Sequence, residues 1–389
     1  MEEFEELFYR EPYRKTFDAE VITCEKGKSG WHVVLDDTAF YPEGGGQPGD
    51  RGKLNDISVT DTQRIDGQVV HICDKAIAPG TAVHGELDWQ WRFENMQSHT
   101  GEHIVSGLIH KKFGYENVGF HMGDVIQIDF DGEMTWPDVV QIEREANAAI
   151  YRNVDVKCWF PDAAELQDLP YRSKKELNGR VRLVTIDGVD QCACCGTQVK
   201  RTGEIGMIKL LSLSAHRGGV RIDMLAGARA LAYTEGIYRE NDAVSHLLSA
   251  PVGATAAAVE KLLNHADDLK MQVQHWMEVT LENQADRIAD DEKLVLLFEK
   301  GMDRNTMRHF ATQLLDEKHC GTVGMFNLED NGSYSYMLLS GSVALRACAK
   351  ELNAKLNGRG GGKDNMIQGS FKADRKEIES VIREMWQAF

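Results

Sequence analysis

Glu20-Val21-Ile22-Thr23-Cys24 and Trp31-His32-Val33-Val34-Leu35, separated by a turn that holds Gly27 and Gly30, decide the fold of the first part of the chain. Both runs are short, rich in β-branched residues and alternate in polarity, which is the pattern of half-buried strands. Ile57-Ser58-Val59 and Val69-Val70-His71-Ile72-Cys73 continue it beyond further Gly and Asp turns. Short strands repeated at this spacing predict a small β-barrel over residues 1–90.

From Glu94 the character changes. Ile104, Val105, Leu108 and Ile109 recur at helical intervals, so residues 96–113 read as a helix ending near Gly114. A strand at 125–130, a helix at 138–151 and strands at 154–159 and 181–186 follow, which predicts an α+β domain over 91–235. Residues 255–292 are acidic and helical, with Leu262, Leu263, Leu269, Val273, Trp276, Met277 and Leu281 at helix-like intervals. Within 236–292 this is either a helical arm that forms a coiled coil or a linker helix packed on its neighbours. A strand at 294–298, a helix at 305–317, strands at 321–326 and 335–339 and a last helix after Asp374 predict a small α/β domain over 293–389. The fold class expected is α+β: barrel, α+β core, helical arm and C-terminal α/β domain.

A hydrophobic share of 42% and a charged share of 27% are those of an ordinary globular chain, and 389 residues allow separate cores without disulfide staples. The start, Met1-Glu2-Glu3-Phe4-Glu5-Glu6, lacks the basic stretch and apolar run of a signal peptide, and no apolar run reaches transmembrane length. The expected location is the cytoplasm, with no membrane partner. A net charge of −17 works against non-specific contact with a polyanion. Basic residues are nevertheless grouped in the middle third: Lys111-Lys112, Lys174-Lys175 with Arg180 and Arg182, Lys200-Arg201, and Arg217 with Arg221. Ordinary solvated charges are the plain alternative.

Cys24, Cys73, Cys158, Cys320 and Cys348 are isolated and read as small buried residues, whereas Cys192, Cys194 and Cys195 cluster, as in metal-binding or redox sites. Adjacent cysteines seldom both face one metal, so only some of these three can be ligands. His99-Thr100-Gly101-Glu102-His103 places two imidazoles on one helical face, half of a tetrahedral zinc shell. The spacing differs from the His-Glu-x-x-His of metalloproteases, and among 13 histidines such a pair also arises by chance. A thiolate on the turn after a strand, in Gln191-Cys192-Ala193-Cys194-Cys195-Gly196-Thr197-Gln198, could complete the set. Thr38-Ala39-Phe40-Tyr41-Pro42-Glu43-Gly44-Gly45-Gly46-Gln47-Pro48-Gly49-Asp50 offers backbone N–H donors beside polar groups, or simply a barrel turn. Gly358-Arg359-Gly360-Gly361-Gly362-Lys363 could bind phosphate but lacks the Walker spacing.

In this order, these elements resemble the free-standing alanyl-tRNA editing proteins of the long type. They are also similar to the editing and C-terminal domains of alanyl-tRNA synthetase. Arg201-Thr202-Gly203-Glu204-Ile205-Gly206 and Arg221-Ile222-Asp223 with Gly227 add to the match, which spans essentially the whole chain. The resemblance implies a barrel, a zinc-bearing editing core, an arm and a C-terminal domain that grips tRNA or forms a homodimer. It implies a trans-editing hydrolase that deacylates mischarged alanine tRNA, carrying serine or glycine, and no aminoacylation domain. It assigns His99, His103 and Cys194 to zinc, with Gln198 standing where the family has a histidine. Thr38 and Gln47 fall in catalytic positions, with Thr38 reading the serine hydroxyl. Tyr41, Gly44, Gly45, Gly46 and Asp50 fall in substrate-binding positions, and Arg359, Gly360, Gly361, Gly362 and Lys363 in tRNA-binding ones.

An amide oxygen is a poor zinc ligand beside imidazole. Gln198 therefore leaves three options: three protein ligands with an open position, substitution by Cys192 or Cys195, or loss of the metal. No carboxylate stands out as a general base: Glu102 is near, and it either faces the metal or is turned away from it. The competing readings are a non-catalytic tRNA-binding protein with a degraded metal site, a phosphoesterase, disfavoured by the absence of an Asp-His-His motif, and a zinc hydrolase of small acylated molecules.

Overall fold

The computed structural model describes residues 6–173 and 180–387. The acidic start at residues 1–5, and Lys174 and Lys175 of the basic groups noted above, lie outside them. The chain divides into two compact units at Val244/Ser245.

The first unit begins with a short helix, α1 (Leu7–Arg10), and six strands: β1 (Thr16–Lys26), β2 (Trp31–Leu35), β3 (Gly52–Leu54), β4 (Ile57–Ile65), β5 (Gln68–Cys73) and β6 (Ala82–Leu87). They close a barrel in the order β1-β2-β5-β4-β3-β6, with β6 returning antiparallel to β1. Phe17, Val33, Phe40, Leu54 and Val83 fill its interior. Two strands were not anticipated, for different reasons. β3 has only three residues. β6 turns Val83, Gly85 and Leu87 inward, and Gly85 gives its side-chain space to the Phe17 ring, which hides the alternation.

α2 (Trp89–Phe113) follows, capped by Asp88, which accepts from the Trp91 N–H at 3.1 Å, and ended by Gly114 at φ 75°. It starts two turns earlier than the apolar periodicity suggests, because those turns bury the polar residues Arg92 and Asn95. Arg92 explains the burial. Its Nε donates to Asp50 Oδ2 at 2.8 Å, its Nη2 pairs with the same oxygen, and its Nη1 donates to the Pro12 carbonyl at 3.0 Å. The Tyr41 N–H donates to Asp50 Oδ2 as well, at 2.6 Å, so this carboxylate pins the barrel loop to α2.

Beyond α2 come β7 (Asn117–Met122), β8 (Ile126–Phe130), α3 (Trp136–Arg152), β9 (Val156–Trp159), α4 (Ala163–Asp168), β10 (Leu183–Ile186), β11 (Asp190–Ala193), β12 (Ile208–His216) and β13 (Gly219–Ala226). An antiparallel sheet, β12-β13-β8-β7, carries α2 and α3 over a core that includes Ile104, Val105, Ile128, Ile142 and Ile222. A smaller sheet, β11-β10-β9, brings β11 against α2. That packing builds the site. α5 (Gly227–Leu248) runs across the division between the units.

In the second unit α6 (Thr255–Ala285) leaves Leu262, Leu269, Val273 and Trp276 exposed. Next come β14 (Leu294–Lys300), α7 (Arg304–Glu317), β15 (Thr322–Leu328), β16 (Tyr334–Ser340), α8 (Leu345–Lys355), β17 (Arg359–Lys363), β18 (Met366–Phe371) and α9 (Arg375–Trp386). Their sheet has the order β14-β15-β16-β18-β17, parallel at β14–β15 and antiparallel elsewhere, with an apolar cluster on each face. Its glycine run is not a phosphate-cradling loop but the edge strand β17, paired residue by residue with β18. Side chains at Gly360 and Gly362 would collide with the β18 backbone. The fold is α+β throughout. Among the described residues, no helix is long and apolar enough to cross a membrane.

Candidate metal centre

His99 and His103 lie one turn apart on α2 with their rings stacked, centroids 5.3 Å apart and planes 8° from parallel. Cys194 comes to them from the turn after β11. Its Sγ is 3.3 Å from His99 Nε2, and the ligand atoms of His99, His103 and Cys194 all lie within 4.8 Å of one another. The turn is held from behind by buried Arg182, whose Nη1 donates to the Cys194 and Gly196 carbonyls at 2.8 and 2.9 Å. Gly196 is obligatory here, since a Cβ at that position would overlap the His99 ring.

The hydrogen bonds behind each imidazole fix its tautomer. Gln47 Oε1 accepts from the Thr197 backbone N–H at 3.1 Å, so this atom is the amide oxygen, and His99 Nδ1, 3.0 Å away, must be the donor. His103 Nδ1 faces Asp190 Oδ2 at 3.0 Å, and a carboxylate only accepts. Both rings therefore offer Nε2 as the ligand atom. His103 Nε2 is buried with no hydrogen-bond partner, which fits a nitrogen that ligates a metal. Asp190 is itself anchored by Arg172, whose Nε and Nη2 donate to it at 2.8 and 2.9 Å. Such carboxylate–histidine pairs orient metal ligands and raise their basicity.

Electrostatics agree with a thiolate. Burial works against the charge on Cys194, yet the imidazoles of His99 and His103 hold its pKa well below the ordinary thiol range. Burial likewise opposes a charged His103, but Cys194 and Asp190 raise its pKa well above the ordinary imidazole value. The Gly196 N–H adds a hydrogen bond to Cys194 Sγ at 3.3 Å. An N,N,S donor set of this kind suits zinc.

Gln198 is brought beside Cys194. Its Oε1 accepts from Thr100 Oγ1 at 2.7 Å, and its Nε2, a donor, faces Cys194 Sγ at 3.9 Å. Cys192 belongs to a second group, with His103 and Asp190, and Cys195 is exposed and outside both groups.

The centre forms part of the wall of a cavity of about 1740 Å³, which is also lined by Lys111, Arg172, Arg180 and Arg182. Of the basic residues noted in the sequence, Lys111, Arg180 and Arg182 share this surface. Arg201 and Arg221 instead pair with Asp155 and Asp129. Gly45 and Gly46 line the cavity as the centre of a tight turn, with φ of 57° and 83° in the left-handed region that favours glycine, bridged by Gly44 and Gln47.

The other residues of that loop are turned elsewhere. Tyr41 donates to the Gly44 carbonyl at 3.0 Å, Asp50 is committed to Arg92, and Gln47 supports His99 from behind. Thr38 is buried in the barrel. Its hydroxyl lies 2.8 Å from His71 Nε2 and accepts the Phe40 N–H at 3.0 Å, and it does not line the cavity. His71 Nδ1 lies 2.9 Å from the Val33 carbonyl, and burial lowers its pKa to about 4, so the ring is neutral. Its Nδ1 then donates to Val33, and Thr38 is the donor to Nε2. Glu102, whose orientation the sequence left open, lines the cavity. Arg359 to Lys363 sit on β17, in the other unit.

Sequence reasoning missed Asp190, Arg172 and Asn117. A signal for the first existed: in β11 the period of two puts Asp190, Cys192 and Cys194 on one side of the strand and its continuation.

Three family matches run along the chain. Residues 7–91 match the tRNA synthetases class II (A), residues 181–222 the threonyl and alanyl tRNA synthetase second additional domain, and residues 291–389 the DHHA1 domain. An alanyl-tRNA editing protein of Pyrococcus horikoshii is 30% identical, covering 98% of each chain. The alanyl-tRNA editing protein of Mus musculus is 29% identical, covering 97% of each. An alanine–tRNA ligase of Pyrobaculum arsenaticum is 29% identical over 97% of this chain but only 44% of its own length. The match thus takes in this chain almost end to end, and with it the barrel, the histidine helix, the cysteine turn and the C-terminal sheet. The chain belongs to the alanyl-tRNA editing protein family.

Proposed function

We propose that this chain deacylates mischarged alanine tRNA in trans, with a zinc ion held by His99, His103 and Cys194. The observation that carries the reading is the convergence of these three donors on the wall of a cavity, both imidazoles presenting Nε2. When bound, zinc supplies Lewis acidity that polarises an ester carbonyl or acidifies a water. The chain's own residues do the rest. Gln47 and Asp190 hold the ligand tautomers, and the Gly45–Gly46 backbone shapes the cavity beside them. Lys111 and Arg180 place positive charge where the backbone of an acceptor end would enter, against an overall charge of −17. Arg359 and Lys363, exposed on the β17 edge, are proposed as further phosphate contacts. The exposed apolar residues of α6 are proposed as the contact of a homodimer, which light scattering tests.

Serine differs from alanine by one hydroxyl, and a site that hydrogen-bonds it leaves its own polar groups unpaired when alanine enters. Recognition by Thr38 requires its hydroxyl to leave His71. The test is deacylation of seryl-, glycyl- and alanyl-tRNA, with and without a chelator. Chelator-sensitive hydrolysis of the mischarged species is expected, with alanyl-tRNA spared. A chain that holds zinc yet hydrolyses none of them refutes the proposal. Absence of bound zinc together with tight tRNA binding would favour the non-catalytic reading, to which the amide of Gln198 lends support.

A further inference from the structure

We infer that Phe120 is the wall that limits the side chain of the aminoacyl ester to about the size of serine, an inference that rests on reading the cavity as the editing site. The pairing of β7 with β8 sets Asn117 opposite Phe130 and Phe120 opposite Ile128. Phe130 and Ile128 alternate by two and share one face of β8, so Asn117 and Phe120 share the matching face of β7. Residues three apart in a regular strand would point to opposite faces. The register shift between Asn117 and Gly119 removes that conflict, as a bulge re-aims the side chains beyond it. Phe120 is thereby brought to α2, with its ring centroid 5.4 Å from that of His99 and the two planes 37° apart.

The ring is seated on the glycine turn as well. A Cβ at Gly46 would fall 2.3 Å from a Phe120 ring carbon, so the ring rests directly on the Gly46 backbone. That turn is closed by the bridge between Gly44 and Gln47, and Gln47 also holds His99. Gly46, Phe120 and His99 all line the cavity, and Phe120 is half-buried against the core beneath it. Turn, ring and imidazole make one wall beside the metal donors, each part tied to a different element: the barrel loop, β7 and α2.

An aminoacyl ester whose carbonyl lies at those donors carries its side chain on the next carbon, so the side chain meets a wall that adjoins them. The hydrogen of glycine and the CH₂OH of serine are small. A branched four-carbon chain needs the wall to retreat, and neither a closed turn nor a strand paired to its sheet retreats cheaply. Forcing extra methylenes into a packed site displaces side chains and backbone. The Phe120 ring has no hydrogen-bonding group, so it sorts by size. It excludes the larger aliphatic side chains and leaves recognition of the serine hydroxyl, and with it the rejection of alanine, to polar groups elsewhere.

The test uses non-hydrolysable probes: adenosine bearing 3′-amide-linked glycine, serine or leucine, each titrated calorimetrically into the zinc-loaded full chain. The wild type should bind the glycine and serine probes and bind the leucine probe about tenfold more weakly than glycine or worse, the discrimination that added methylenes allow. Phe120→Ala should erase most of the leucine deficit relative to glycine while zinc stays stoichiometric. Phe120→Leu, which keeps an apolar side chain on the turn, should erase part of it, and it serves if Phe120→Ala does not fold or loses zinc. The glycine probe has no side chain to meet the wall, so a merely structural role would lower all three affinities by one factor and leave their ratios unchanged. That result overturns the inference, as does equal binding of the glycine and leucine probes by the wild type. Seryl-tRNA hydrolysis by the same samples separates the two readings. No hydrolysis, with a size preference that depends on Phe120, refutes the editing function and leaves the wall standing.

Discussion

Asp190→Asn should uncouple the metal centre from its support without removing a ligand. Asp190 accepts three hydrogen bonds, from His103 Nδ1, Arg172 Nε and Arg172 Nη2, and it donates none. An asparagine must turn its NH₂ toward one of these donors. If it faces His103, it faces Arg172 Nη2 as well, since both bond the same oxygen, and the ring has to accept at Nδ1 and carry its proton on Nε2, the atom needed for zinc. If it faces Arg172 Nε, His103 keeps its tautomer, but a buried guanidinium loses its bidentate partner. The first case should weaken zinc by about 10–100-fold, the usual effect of losing such a partner, or roughly 1.4–2.7 kcal/mol. The second should cost the metal-free fold about 1.5–3 kcal/mol, the worth of a hydrogen bond to a charged group. The two are measured separately, by zinc competition against a chromophoric chelator and by urea unfolding of the metal-free chain. Zinc affinity within about twofold of wild type, with wild-type stability, would refute the assignment of Asp190 as the group that orients His103.

Zinc affinity should depend on pH. Cys194 and Asp190 raise the pKa of His103, so in the metal-free chain zinc competes with a proton for this ring. Affinity should then rise by about tenfold per pH unit until His103 deprotonates, and a flat profile between pH 6 and 8 contradicts the pairing with Cys194. Gly196→Ala drives a methyl group into the His99 ring and should abolish stoichiometric zinc while circular dichroism stays native-like. An alanine variant that retains full zinc overturns the close approach. Thr38→Val leaves His71 Nε2 buried without its donor and should lower stability by about 1–3 kcal/mol in thermal unfolding. A changed ratio of seryl- to alanyl-tRNA hydrolysis with no change in melting would instead place Thr38 against the substrate.

The parts of the fold that could be read from sequence are those whose side chains report their own surroundings. β1, β2, β4 and β5 carry clear alternation, and β14, α7 and α9 carry clear apolar periodicity. β6 and β17 were hidden because glycine occupies positions where a neighbouring ring or strand needs the space. α2 was found late because Arg92 and Asn95 are polar and buried, a combination that only the partner Asp50 explains. The site shows the same division. His99, His103 and Cys194 carry recognisable metal chemistry, but the roles of Gln47 and Asp190 depend on contacts between segments distant in the chain. Gln47 and His99 are 52 positions apart, and His103 and Asp190 are 87 apart. No local pattern encodes such pairs.

Those long-range pairs also explain why the glycine-rich loop and the metal ligands occur together. His99 and His103 sit on the same helix, yet their outer nitrogens are held from opposite directions: His99 by Gln47 of the barrel loop, His103 by Asp190 of β11. A helix alone would leave both imidazoles free to rotate and to exchange tautomers. The barrel loop in turn keeps its place through Asp50, which is bonded to Tyr41 and to Arg92 at the start of α2. Arg92 and His99 are two turns apart on that helix, so the anchor that docks the loop and the ring that the loop orients move as one body. The loop's polar residues therefore need not touch a substrate to be indispensable to the site. On this geometry the glycines shape the turn, Gln47 sets a tautomer and Asp50 sets the docking, the last two without facing the cavity's open space.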